Sequence, residues 1–308
     1  MRWLIVGANG RLGRALTAAA SGRPDLSVTA LPKDRLDITS ASAVARAMRA
    51  YRPDWVLNAA AVTRAPEARD YEYWRVNAEA PGILAAAARN VGARLLHVST
   101  DYVFSGAGET PWCERDRPGA VGLYGRSKEE GERAVLGSGV AGYLVRAGWL
   151  HSGERDFVSA VLERAVRGER LRVVTDQIGK PSETRAFARW LVEVLCTYPE
   201  PRGMEIEHYV ENGPYVSRFE EAQYILTAAK EKAEGENRKA VFASALVKLE
   251  GTKNRDPGQP GNCRLVCGKV SGPSEILRAT WEEGVDNSVI NWLSQSADLW
   301  ISPRSPAE

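Results

Sequence analysis

The stretch WLIVGANGRLGRAL, residues 3–16, decides the fold. Four apolar residues with no charge read as a buried strand. Glycines follow at 7, 10 and 13, and then a run rich in alanine and leucine, 11–20, that favours helix. A strand that turns through spaced glycines into a helix fits a phosphate-binding turn, with a merely structural turn as the alternative. Gly7 permits the tight turn, Gly10 lets backbone approach a ligand closely, and Gly13 lets the helix pack against the strand. The helix start then offers unpaired N–H groups and partial positive charge to an anion. The turn residues Gly7, Asn9, Gly10, Arg11, Leu12 and Gly13 are therefore the candidate pyrophosphate cradle of a dinucleotide.

Outward from this turn the pattern repeats. Strands are expected at 26–31, 55–61, 94–100 and 142–148, and helices at 11–20, 41–51, 73–92 and from Tyr124 onward. Strand alternating with helix implies a parallel sheet covered on both faces. The fold class expected is α/β, a doubly wound parallel sheet (Rossmann) with a smaller C-terminal substrate-binding lobe. Residues 1–150 are expected to form the NADP-binding domain, and 151–308 the smaller lobe, interleaved in part with the sheet. Lysine becomes frequent only beyond about residue 200, while 231–239 and 254–262 read as solvated turns.

Composition narrows the function. The chain has 308 residues and a net charge of +2, which argues against a dedicated nucleic-acid binder. No apolar run approaches the 18 or so residues of a membrane span, so a soluble cytoplasmic protein is expected. Cys263 and Cys267 form a C-x3-C pair with no further cysteine or histidine nearby, and all four cysteines read as reduced structural thiols rather than a zinc set.

Past the second strand, Lys33 and Arg35 flank Asp34, and Arg11 sits in the glycine turn. Positive charge suits the 2′-phosphate of NADP; a carboxylate such as Asp34 would favour NAD, which stays the alternative. Asp37 and Ile38 are placed to border the adenine. The stretch LYGRSKEEGER, 123–133, puts Tyr124 and Lys128 four apart, on one face of a helix. A free phenol has a pKa of ~10, and a nearby ammonium lowers it, so the pair serves as general acid or base. Thr100 and Asp101 end the strand 94–100, at the edge of the sheet where ligands sit, and the Thr100 hydroxyl can reach a reacting oxygen.

These pieces resemble the extended short-chain dehydrogenase/reductase family and, within it, the dTDP-4-dehydrorhamnose reductases. The segments carrying the resemblance are GANGRLG, DITS, VLNAAAVT, VNAEAP, HVSTDYVFSGAGETPWCERD, LYGRSKEEGE, VRAGWLHS and DQIGKPSET. The resemblance implies reduction of a 4-keto group on a dTDP-6-deoxyhexose by NADPH or NADH. It implies that Tyr124 protonates the C4 oxygen, that Lys128 holds the nicotinamide ribose and tunes Tyr124, and that Thr100 bonds the same oxygen with Asp101 close by. Trp149 would pack on the sugar or base, and Ala59, Ala60, Ala61 and Asn77 would line the cofactor cleft. His97 is expected to be a core strand residue. The partners implied are a dTDP-sugar substrate and, as one assembly the family uses, a homodimer; neither nucleic acid nor membrane is expected. Three positions depart from the pattern: Gly122 stands where an asparagine is usual, Val62 where an aromatic is common, and Ala15 where some members place a metal-binding acid, so no metal is expected. Two other functions share these motifs: a nucleotide-sugar epimerase or dehydratase with tightly held NAD, and an NADP-binding regulatory subunit like the methionine adenosyltransferase β-subunit.

Overall fold

The computed structural model describes residues 1–63, 69–198, 200–268 and 278–296. Two compact units divide the chain. The first holds the described residues of 1–148, 184–210 and 256–278, and the second those of 149–183, 211–255 and 279–308.

The first unit alternates strand and helix: β1 (Arg2–Val6), α1 (Arg11–Ser21), β2 (Ser27–Leu31), α2 (Ala41–Tyr51) and β3 (Trp55–Asn58). A short α3 (Asp70–Tyr73) runs into a π-helix (Trp74–Glu79) and then α4 (Ala80–Asn90), followed by β4 (Arg94–Thr100), α5 (Leu123–Leu136) and β5 (Gly142–Ala147). The second unit contributes β6 (Leu150–His151), α6 (Phe157–Val166), β7 (Leu171–Val174), β8 (Ile178–Gly179) and β9 (Ser182–Glu183). The chain then returns to the first unit as α7 (Thr184–Thr197) and β10 (Met204–Tyr209), and ends in the second as β11 (Val216–Ser217), α8 (Arg218–Lys232), α9 (Glu236–Val247), β12 (Leu249–Thr252) and α10 (Trp281–Gln295).

Six parallel strands form one sheet in the order β10-β5-β4-β3-β1-β2. Alternate residues face opposite sides. Leu4, Val6, Val56 and Leu95 therefore meet Val44 and Met48 of α2 and Leu84, Ala85 and Ala88 of α4 in one core. Trp3, Ile5, Leu57 and Leu96, equally buried, point to the other face, where α1 packs on α7. The third strand stops at Asn58 rather than running to residue 61, because the Asn58 side chain accepts the Ala60 N–H at 3.1 Å and turns the backbone. The helix expected at 73–92 begins three residues earlier, and its second turn is widened into the π segment.

The second unit has its own core. Val158 and Leu162 of α6, Ile225 and Leu226 of α8, Phe242 of α9, and Val285, Val289 and Trp292 of α10 are all buried together. Its strands make three short pairs, β6 with β9, β7 with β12 and β8 with β11. Two of its helices are set by capping boxes in which a hydroxyl and a glutamate satisfy each other's backbone N–H, Ser217 with Glu220 and Thr280 with Glu283. None of the described helices is long and apolar enough to cross a membrane.

Candidate active site

The glycine turn is built as its spacing requires. The chain runs from β1 to β2 on one side and to β3 on the other, so a crevice opens where the strand order reverses. Gly7 has φ +76°, and a Cβ there would lie 2.6 Å from the Ala60 nitrogen. A Cβ on Gly13 would lie 2.2 Å from the Gly7 carbonyl oxygen. A side chain at Gly7 would force the turn after β1 from the turn after β3, and one at Gly13 would force α1 from the turn after β1. Gly10 is the N-cap of α1 and brings no capping side chain, so the first N–H groups of that helix point at an open position. Leu12 is buried under the turn, Arg11 is half-buried, and Asn9 is exposed with its carbonyl taking Arg14 Nη1 at 2.8 Å.

Lys33, Asp34 and Arg35 are all exposed just past β2, and Ile38 is buried. Asp37 is committed to its own turn: one carboxylate oxygen accepts both the N–H and the hydroxyl of Thr39, at 2.9 and 2.8 Å. Those bonds, with help from Arg75 and Lys33, hold its carboxyl below the usual range.

The Thr100, Asp101, Tyr124 and Lys128 side chains gather beyond the end of β4. The Thr100 hydroxyl donates to Asp101 Oδ1 at 2.9 Å and lies close enough to the Tyr124 phenol to act on its pKa. Tyr102 and Tyr73 set their rings edge-on to Tyr124, with centroids 5.7 and 6.5 Å away. Burial among them and the negative charge of Asp101 raise the phenol pKa, and Thr100 works the other way. Lys128 is buried and gives its ammonium to the Val98 carbonyl at 2.7 Å. Burial lowers its pKa to about 8, partly opposed by Glu132. In this arrangement the Lys128 ammonium bonds backbone, and Asp101 is the charge acting on the phenol.

Several residues that spacing does not single out complete the site. Asn77 is buried, and its amide clamps Val62 by N–H and carbonyl, both at 2.8 Å, while also donating to Ser127 Oγ at 3.1 Å. Ser127 in turn bonds the Tyr124 carbonyl at 2.8 Å. Asn77 thus ties the loop after β3 to the helix carrying Tyr124, rather than presenting an amide to a ligand. Ala59 and Ala60 are half-buried beside Gly7, and Ala61 is exposed. Asn58 holds Ala60 with its oxygen and meets His97 Nδ1 with its nitrogen at 3.0 Å. His97 is fully buried; burial and the Lys128 charge keep it neutral, as a core strand residue should be. Asn58 and Tyr102 lie inside the segments VLNAAAVT and HVSTDYVFSGAGETPWCERD, which carry the resemblance, but nothing in the sequence singles out either residue, nor Tyr73.

The Gly122 departure has a structural reason. A Cβ there would lie 2.0 Å from the Gly258 carbonyl oxygen. The 256–261 segment crosses the start of α5 and leaves no room for a side chain. The same segment meets Gly106, whose Cβ would stand 2.5 Å from Pro260 Cα. Trp112 then bonds Asn262 and Arg264, joining PWCERD to NCRL.

In the second unit, Trp149 is buried, and the Arg218 guanidinium lies 3.6 Å from its ring centroid. Phe157 covers the same guanidinium at 4.8 Å. One face of the indole is thus taken by a cation. None of the four cysteines forms a disulfide, and Cys263 and Cys267 each lie against backbone carbonyls.

Residues 1–293 match the family model described as the RmlD substrate binding domain. The chain is 31% identical to a dTDP-4-dehydrorhamnose reductase of Sinorhizobium fredii over 303 residues, 97% of this chain and 100% of the relative. The solved dTDP-4-dehydrorhamnose reductase of Clostridium acetobutylicum shares its fold with a TM-score of 0.80 at 29% identity, covering 96% of this chain and 100% of that one. That of Bacillus anthracis, determined in complex with NADP, gives 0.79 at 26%, covering 94% and 99%. A parallel sheet with a glycine turn at its switch point, a Thr/Tyr/Lys set beyond β4 and a match over nearly the whole length lead to one conclusion: the chain belongs to the RmlD substrate-binding-domain family, within the extended short-chain dehydrogenase/reductases.

Proposed function

We propose that this protein is an NADPH-dependent reductase of the 4-keto group of a dTDP-6-deoxy-4-ketohexose, with dTDP-4-dehydro-L-rhamnose as substrate, acting in the cytoplasm. The observation that carries the reading is the gathering of Tyr124, Thr100 and Asp101 on the same unit as the Gly7–Gly13 cradle. The cradle fits a dinucleotide: its walls exclude any Cβ at Gly7 and Gly13, and Gly10 leaves the helix start uncapped. Gly7 to Gly13 would hold the pyrophosphate, Ala59 to Ala61 would border it, and exposed Lys33 and Arg35 supply the charge that a 2′-phosphate needs. NADPH bound there supplies the hydride.

The chain's own residues handle the proton. Tyr124 donates its phenolic proton to the C4 oxygen as negative charge develops on it, and Thr100 bonds the same oxygen. A phenol with a raised pKa is fully protonated at neutral pH, which suits a proton donor. The resulting phenolate needs a cation close by, and Lys128, one turn along α5, is the cation available. Two of its three N–H groups lie beyond the Val98 bond and can serve the ribose. Trp149 is assigned to the sugar or base on the resemblance alone. A homodimer is the proposed assembly, to be checked by light scattering.

The test is direct. Purified protein, NADPH and dTDP-4-dehydro-L-rhamnose should give dTDP-6-deoxyhexose with loss of NADPH absorbance. Stable cofactor copurifying, with no reductant consumed, would point instead to an epimerase or dehydratase.

A further inference from the structure

Lys128 is a buried cation whose direct partner among the described residues is a neutral carbonyl. Such an ammonium tends to shed its proton. One turn further along α5, Glu132 is 1% exposed. Its carboxylate is gripped by Arg146 of β5, with contacts of 2.7, 3.0 and 3.3 Å, and Arg146 is equally buried. Arg146 lies 5.0 Å from the Phe104 ring centroid and points Nη1 at His208 Nε2, 3.4 Å away. His208 Nδ1 faces the Val266 carbonyl at 3.1 Å, so it carries the ring proton, and Nε2 accepts from Arg146. A line of buried groups therefore runs from Lys128 through Glu132, Arg146 and His208 to the segment that clamps Trp112. Nothing in the reaction outlined above uses it.

The other elements packed on α5 bring little charge to Lys128. β4 brings His97, which is neutral. The turn after β4 brings Asp101, whose charge bears on Tyr124. Asp70 of α3, Arg75 and Glu79 of the π-helix and Arg89 of α4 are all exposed, and Glu72 of α3 caps the Arg69 N–H. Glu132 is the anion that acts on the ammonium.

We propose that Glu132, locked by Arg146 and His208, is a positioning residue that keeps Lys128 cationic at the pH where the enzyme works. Resting on the reductase reading, it assigns to Glu132 the alkaline limit of turnover. Arg146 fixes the Glu132 carboxylate in place, and His208 and Phe104 lie against Arg146 in turn.

Two readouts test this, one of them independent of activity. In protein carrying carbon-labelled lysine, Lys128→Arg identifies the Lys128 resonance, and its titration midpoint is then followed. Glu132→Gln should move the midpoint by ~1 pH unit toward acid, and Glu132→Asp, which keeps the charge, should hold it near wild type. Glu132→Gln leaves a buried unpaired guanidinium and risks misfolding. The double variant Glu132→Gln/Arg146→Met removes that burden. The Glu132 carboxylate is absent there too, so the same acidward move is expected. The alkaline limb of kcat/KM should follow the midpoint. An unmoved midpoint in a folded single or double variant overturns the proposal. A moved midpoint in a protein that never reduces the keto sugar supports the role of Glu132 and refutes the reductase reading alone.

Discussion

At the scale of single residues, the chemistry rests on Tyr124. Its phenol is held protonated by burial and by Asp101, which suits the reductive direction. Tyr124→Phe removes the proton donor while leaving its aromatic neighbours in place, and turnover should fall by ~10²–10⁴. Unchanged turnover in that variant would refute the role. Lys128 sets the pH response. Its pKa is brought down to about 8, so the cation is present below that value and lost as pH rises through it. The pH–rate profile should therefore decline on the alkaline side from about 8, well before a free lysine would titrate. The pairing of Tyr124 with Lys128 was legible from a spacing of four. Their electrostatic relation was not, because where the ammonium points depends on the Val98 carbonyl, a backbone atom with no signature in the sequence.

At the scale of elements, the turn and the helix start are governed by backbone contact. Gly13→Ala would drive a methyl into the Gly7 carbonyl at 2.2 Å. Overpacking of this kind costs ~1–3 kcal/mol, and NADPH affinity should weaken with it, as read by urea unfolding and fluorescence titration. Gly122→Asn should displace the 256–261 segment and raise KM for the keto sugar. Equal KM in a folded variant would show that the segment plays no part in substrate binding. The three glycines of the turn were legible because strand, turn and helix are all local. The end of β3 was misjudged by three residues because apolar alanines hide the Asn58 side chain that turns the chain. The absence of an asparagine at 122 looked arbitrary until Gly258, more than a hundred residues away, was found against it.

At the scale of the whole molecule, two linkages can be measured. NADPH binds only the folded chain, so at ~100 times its Kd it should add ~2.7 kcal/mol to stability, seen as a higher melting temperature; no rise would count against the cradle. His208 is held at about 3 and His97 also well below 6.5. The unfolded chain then binds more protons as pH falls below 6.5, so stability is lost in that direction. Glu221, raised to about 6, works oppositely between that value and its ordinary one, but it is one group against two. The urea midpoint should therefore drop between about pH 7 and about pH 5. By itself the amino-acid sequence determined the alternation of strand and helix, the phosphate turn and the Tyr/Lys spacing, since each follows from residues within a few positions of one another. Only the tertiary structure decided that α7, β10 and the described residues of 256–278 belong with the sheet, that Asn77 serves as a staple, and that a buried line from Glu132 to His208 stands behind Lys128. Those relations join side chains from separate strands and helices, and such contacts exist only once the chain has packed.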